Sequence, residues 1–253
     1  MIALYLFVLC SFLAQTLAAQ EKDPSALSAL QRAANAAGAA PGSLHTVEAA
    51  GFFVDLHFDA PSETPFWAAA DAWGRVRWEM QTNDGVQTSV IDSALTPANS
   101  FAEDSRGRRL LAAPQYAGQG LEAMPVFALA LWIAQPRHRI APLEGTEAGT
   151  DRVLVAPLFP SDVRPEVAEE AEAALRQEVE VDAGGRIQRL TYFLHPDDGR
   201  VDIPVVLAFA DYRRVQGVLW PHRVEVFSGA RKVGEYVFAE VLFNRPLEES
   251  LFN

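Results

Sequence analysis

The side chains able to carry chemistry are few and scattered. The five histidines, His45, His57, His138, His195 and His222, lack both the i, i+4 spacing that sets two imidazoles on one helical face and the paired cysteines of a zinc site. The spacing predicts no metal. The densest group is His195-Pro196-Asp197-Asp198-Gly199-Arg200; its oxygens suit a hard cation, yet Pro-Asp-Asp-Gly is first of all a turn sequence. There is no Gly-x-Ser-x-Gly elbow and no Gly-rich phosphate loop. Carboxylates are abundant, but no spacing singles out an acid and a base. Tyr212-Arg213-Arg214 reads as a charged turn between strands ahead of an anion site. These residue types favour a binding protein over an enzyme, with no catalytic residue and no cofactor assigned.

The remaining candidate nucleophile, Cys10, falls in a segment that reads as a leader. Residues 1–19, MIALYLFVLCSFLAQTLAA, carry no Asp, Glu, Lys or Arg and end on small residues just before Gln20-Glu21-Lys22-Asp23. That is the layout of a cleavable signal peptide, with cleavage expected after Ala18 or Ala19. Gln15 and Thr16 already break the apolar run, which leaves too little for a span of about 20 residues. The mature chain, 20–253, is then cysteine-free and must be stabilised by a core. It reads as a single domain, exported to the periplasm, with no membrane span.

The chain has 21 Lys and Arg against 33 Asp and Glu, a net charge of −12. That balance argues against nucleic acid and anionic lipid surfaces as bulk partners. With 49% hydrophobic residues, the composition also argues against disorder.

The elements that must position any site alternate between two periods. Asp23-Pro24 ahead of SALSALQRAANAAG predicts a helix over 24–37, capped by Asp23, with Pro24 in its first turn and Gly38 at its end. Residues 44–58 switch to a period of two, and strands are predicted at 66–73, 75–82 and 86–92, with Asn83-Asp84-Gly85 as a hairpin turn. Between 93 and 120 the pattern dissolves, and Arg106-Gly107-Arg108-Arg109 reads as a solvated loop. Met124 to Ala134 is the most apolar stretch of the mature chain. It predicts a buried helix with Pro125 in the first turn, ending before Pro136. A strand near 151–158 and an acidic helix over 165–176 follow.

The last third predicts five strands in series: 178–181, 186–194, 201–212, 223–228 and 233–244. Val237, Ala239, Val241 and Phe243 alternate there with Tyr236, Phe238, Glu240 and Leu242. Several strands are apolar on both faces, as in Val205-Val206-Leu207-Ala208-Phe209, which a covered or curved sheet needs. The five Trp and 15 Phe serve either a core or a ligand cavity.

Two stretches resemble the bacterial outer-membrane lipoprotein-sorting, or LolA-like, family. One is RVRWEMQTNDGVQTSVIDS. The other is DYRRVQGVLWPHRVEVFSGARKVGEYVFAEVLFNRPLEESLFN, with Gly217, Trp220-Pro221 and the closing Asn-x-Pro-Leu pattern. The resemblance implies a mainly antiparallel β (α+β) fold: a strongly curved, unclosed half-barrel with an N-terminal helix and a lid helix over its concave face. It implies a carrier or chaperone whose apolar face receives the acyl chains of lipoproteins or lipids. On that reading Val76, Trp78, Met80, Met124, Phe127, Leu131 and Trp132 are the expected lining. The alternative is an envelope sensor or interaction module that docks a partner protein on the same fold without carrying lipid.

Overall fold

The computed structural model describes residues 22–57, 60–92, 100–111, 120–144, 149–159, 163–194 and 202–253. The stretch 1–19 read above as a leader, with Cys10, and the segment 195–200 lie outside them.

Helix α1, Pro24–Ala37, forms as its caps predict. The Asp23 carboxylate accepts from the Ser25 and Ala26 N–H groups at 2.9 and 3.1 Å. Gly38 closes the helix with φ 75°, a left-handed conformation that a side chain would strain, and a Cβ there would lie 2.9 Å from the Gly217 carbonyl.

The chain then makes an antiparallel meander of β1 (Thr46–Asp55), β2 (Ser62–Asp71), β3 (Arg75–Thr82), β4 (Gly85–Asp92), β5 (Phe101–Asp104) and β6 (Gly107–Leu110). It crosses by α2 (Pro125–Ala134) to a second meander. This runs through β7 (His138–Pro142), β8 (Thr150–Pro157), helix α3 (Pro165–Leu175), β9 (Gln177–Asp182), β10 (Ile187–Leu194), β11 (Ile203–Val215), β12 (Val218–Ser228) and β13 (Arg231–Phe243). β13 pairs with β1, which joins both meanders into one 13-stranded sheet with β6 and β7 at its edges. The sheet is curved and unclosed. Its two edge strands are consecutive in the chain, so the segment between them must cross the open side, and α2 is that crossing.

α2 is apolar on every side because every side is covered. Val126, Phe127, Ala128 and Leu129 are all buried, in one cluster with Val76, Leu190, Leu207 and Trp220 of the sheet and Ala26, Leu30 and Ala33 of α1. Its C-terminal carbonyls are held by Lys22, whose ammonium donates to Trp132, Ile133 and Gln135 at 3.0, 3.0 and 2.7 Å. Among the described residues no helix is long and apolar enough to cross a membrane.

Two sequence readings are corrected. The stretch read as a loop around Arg106 contains the β5–β6 hairpin: Arg106 sits at the turn, and Arg108 on β6 pairs with Glu103 at 3.0 Å and covers the Phe101 ring at 3.8 Å. The side chains of β6 are exposed, which is why composition hid the strand. The regular alternation read along β13 also breaks. Ala50 pairs with Glu240 but Gly51 with Phe238, leaving Ala239 as a bulge. The extra residue returns Tyr236, Phe238, Val241 and Phe243 to the core side, while Val237 is 36% exposed. Gly51 is required there, since a Cβ would lie 1.9 Å from the Val237 carbonyl oxygen.

Candidate binding cavities

The structure divides the seven expected lining residues. Met124 and Phe127 have no exposed surface and are core. Val76, Leu131 and Trp132 border a narrow space of about 100 Å³ beside the helix, closed on its other side by His138, Val155 and Leu175. Trp78 and Met80 line a larger cavity of about 290 Å³ along β3, β4 and the β5–β6 hairpin, with Ser89, Glu103 and Arg109 on its polar side. Trp78 is also an anchor, donating its indole N–H to the Gly120 carbonyl at 3.1 Å. That bond fixes the approach to α2 against β3.

A further cavity of about 260 Å³ opens on the concave face beyond the N-terminus of α2. Phe53, Tyr192, Val205, Leu207, Val226 and Tyr236 wall it, with Glu122 at its floor. Tyr236 borders both this space and the one along β3. Its ring packs 4.7 Å from Phe53, 5.6 Å from Trp78 and 5.7 Å from Phe66. The residues of this cavity were not singled out by sequence. The apolar-on-both-faces run 205–209 was a signal for Val205 and Leu207. Nothing in the spacing joins Glu122, Tyr192 and Tyr236, which come together only when β10, β13 and the start of α2 meet.

Among the described residues, Glu122 is the one carboxylate that lines this cavity. It is buried and accepts from the Gly120 N–H at 2.8 Å and the Gln177 amide at 3.2 Å. Burial, and then the Glu122 charge, raises the Tyr236 hydroxyl to about 12. The same causes, in the same order, push Tyr192 higher still. Both phenols therefore stay protonated and keep an O–H to donate. In the narrow space, burial followed by the charges of Lys22 and Arg137 lowers His138 to about 4. Among the described residues no three His, Cys, Asp or Glu side chains group as a metal site would require.

The unclosed antiparallel half-barrel, with one helix crossing its mouth and another beside it, is similar to solved structures. A domain from Vibrio parahaemolyticus assigned to outer-membrane lipoprotein sorting superposes with a TM-score of 0.56 at 12% identity, covering 90% of this chain and 96% of that one. The chain has a LolA-like fold. A LolA superfamily protein from Nitrosomonas europaea matches with a TM-score of 0.54 at 12% identity, over 90% of this chain and 97% of that one. A DUF1329 family protein from Desulfovibrio piger gives 0.56 at 9% identity, with the same coverage as the Nitrosomonas protein. No family model and no curated protein sequence matches the chain. At these identities the likeness is one of fold, and the LolA-like half-barrel is common ground while the side chains on its concave face are this chain's own.

Proposed function

We propose that this protein is an exported carrier that holds the acyl chains of a lipid or lipoprotein on the concave face of its half-barrel. The observation that carries this reading is the pair of cavities of about 260 and 290 Å³ that share Tyr236 as a wall. The one beyond α2 is walled mostly by aromatic and aliphatic side chains, and the one along β3 joins an apolar side of Trp78, Met80 and Tyr236 to a polar side that includes Glu103, Asp104 and Arg109. Each is near the lower limit of small-molecule sites, about 300 Å³. Burying a dozen methylenes at about 0.8 kcal/mol each stabilises a complex by about 10 kcal/mol, in the range of the cost of immobilising the chain. The lining in this proposal is Trp78 and Met80 from the sequence reading, joined by Phe53, Tyr192, Val205 and Tyr236. Val76, Leu131 and Trp132 bound the narrow extension, and Met124 and Phe127 support the helix from behind. No residue is given a catalytic role.

Export fits this use. The leader at 1–19, removed after Ala18 or Ala19, would deliver 20–253 to the periplasm as one unit free of either membrane. The test is uptake of a fluorescent monoacylglycerol by the mature protein. Saturable binding that Val205→Trp abolishes supports carriage, and no binding at any concentration refutes it.

A second reading, an envelope module that docks a partner protein, is favoured by one observation. Met124, Phe127 and Leu129 have no exposed surface, so the first turns of α2 are packed as core. That reading predicts a stable protein complex in pull-down from envelope extracts and no uptake of the acyl probe.

A further inference from the structure

The polar groups in the Tyr236 cavity are unevenly matched. Tyr192 and Tyr236 both line it, and among the described residues neither hydroxyl makes a hydrogen bond, so both can meet a ligand in the open space. His57 and Ser228 also line the cavity, and Glu122 accepts from Gly120 and Gln177. The cavity thus offers two phenol O–H donors beside a carboxylate that repels a second negative charge.

We infer that Glu122, Tyr192 and Tyr236 set the specificity of this cavity, which accepts the neutral ester end of an acyl chain and rejects the carboxylate of a free fatty acid. An ester carbonyl is a pure acceptor without charge, so it can take the phenol hydrogen bonds at no Coulombic cost. A carboxylate could take the same bonds but would have to approach Glu122 through apolar surroundings, where two like charges are poorly screened. His57, which also lines the cavity, is exposed and already bonded to the Asp55 carboxylate at 2.8 Å. The inference rests on the acyl-carrier reading and adds the chemistry of the chain's polar end.

The test compares dibromostearic acid with its methyl ester at neutral pH. The readout is bromine quenching of Trp78, whose ring lies 5.6 Å from Tyr236, with Trp78→Phe to assign the signal. The ester should bind at least about tenfold more tightly than the acid. Glu122→Gln keeps an acceptor for Gly120 and Gln177 and should strengthen acid binding until the two ligands agree within about threefold. The Tyr192→Phe, Tyr236→Phe pair should weaken the ester by about tenfold and the acid, which Glu122 keeps from these hydroxyls, by less than about threefold. This pair carries the same test if the Glu122 variant does not fold. Equal affinity of the two ligands for the unmodified protein, or an unchanged ratio in the variants, overturns the inference while leaving carriage intact. Binding of neither ligand overturns both.

Discussion

Phe53 and Tyr236 stand directly opposite each other on β1 and β13, ring centroids 4.7 Å apart and planes at 49°. The pair divides the concave face. Behind Tyr236 the aromatic packing continues unbroken through Phe66 to Phe238 and Trp220; in front of it the sheet is open. The same ring is therefore the edge of the core and the wall of the cavities.

Because the space beside Val205 is empty, enlarging that side chain should block the cavity without the strain of an overpacked core, which typically costs about 1–3 kcal/mol. Val205→Trp is expected to abolish acyl uptake while shifting the urea midpoint by less than about 1 kcal/mol in stability. Loss of folding in this variant would mean that the cavity is closed in solution.

Phe127 and Met80 should respond oppositely. Phe127 is fully buried in α2, so Phe127→Ala is expected to cost about 3–5 kcal/mol in chemical denaturation. Met80 is only partly buried against the core and borders open space, so Met80→Ala should cost less than about 2 kcal/mol and mainly weaken ligand binding.

Lys22 ties the start of the described chain to the end of α2. Three carbonyls accept from its ammonium, and a cation there also opposes the negative end of the helix dipole. Lys22→Met should destabilise the fold by about 1–3 kcal/mol and increase amide exchange first in the last turn of α2. Unaltered exchange at Ile133 and Ala134 would show that the cap is not made in solution.

His138 makes stability depend on pH. Its folded value is lowered from 6.5 to about 4, chiefly by burial, and its Nδ1 is buried without a partner. Above pH 6.5 the ring is neutral whether the chain is folded or unfolded. As pH falls through 6.5 the unfolded chain takes the proton first, so stability is lost down to about pH 4 and levels off below that. The shift corresponds to about 3 kcal/mol at most. Urea denaturation across this window should show a shallower loss for His138→Phe than for the unmodified protein. Identical slopes would remove His138 as the cause.

Local chemistry made much of this architecture legible. Asp23, Pro24 and Gly38 mark α1, Pro125 and Pro136 bracket α2, and Asn83-Asp84-Gly85 turns β3 into β4, because caps and turns are set by residues a few positions apart. What stayed hidden depends on partners distant in sequence. The Ala239 bulge is fixed by Gly51 on another strand, so period-two reading of β13 placed Val237 and Phe243 on one face when they lie on opposite ones. Four-residue strands such as β5 and β6 carry too few apolar positions to show a period. The cavity was the least legible part, since Glu122, Tyr192 and Tyr236 share no spacing and meet only through the curvature of the sheet.

Native mass spectrometry of the mature protein, released gently from its own envelope, bears most closely on the acyl-carrier reading. The carrier reading predicts a population heavier than the polypeptide by the mass of an ester-linked acyl species, which Val205→Trp removes. Repeated recovery of the bare polypeptide, with no such species taken up on incubation with a monoacylglycerol, would contradict it.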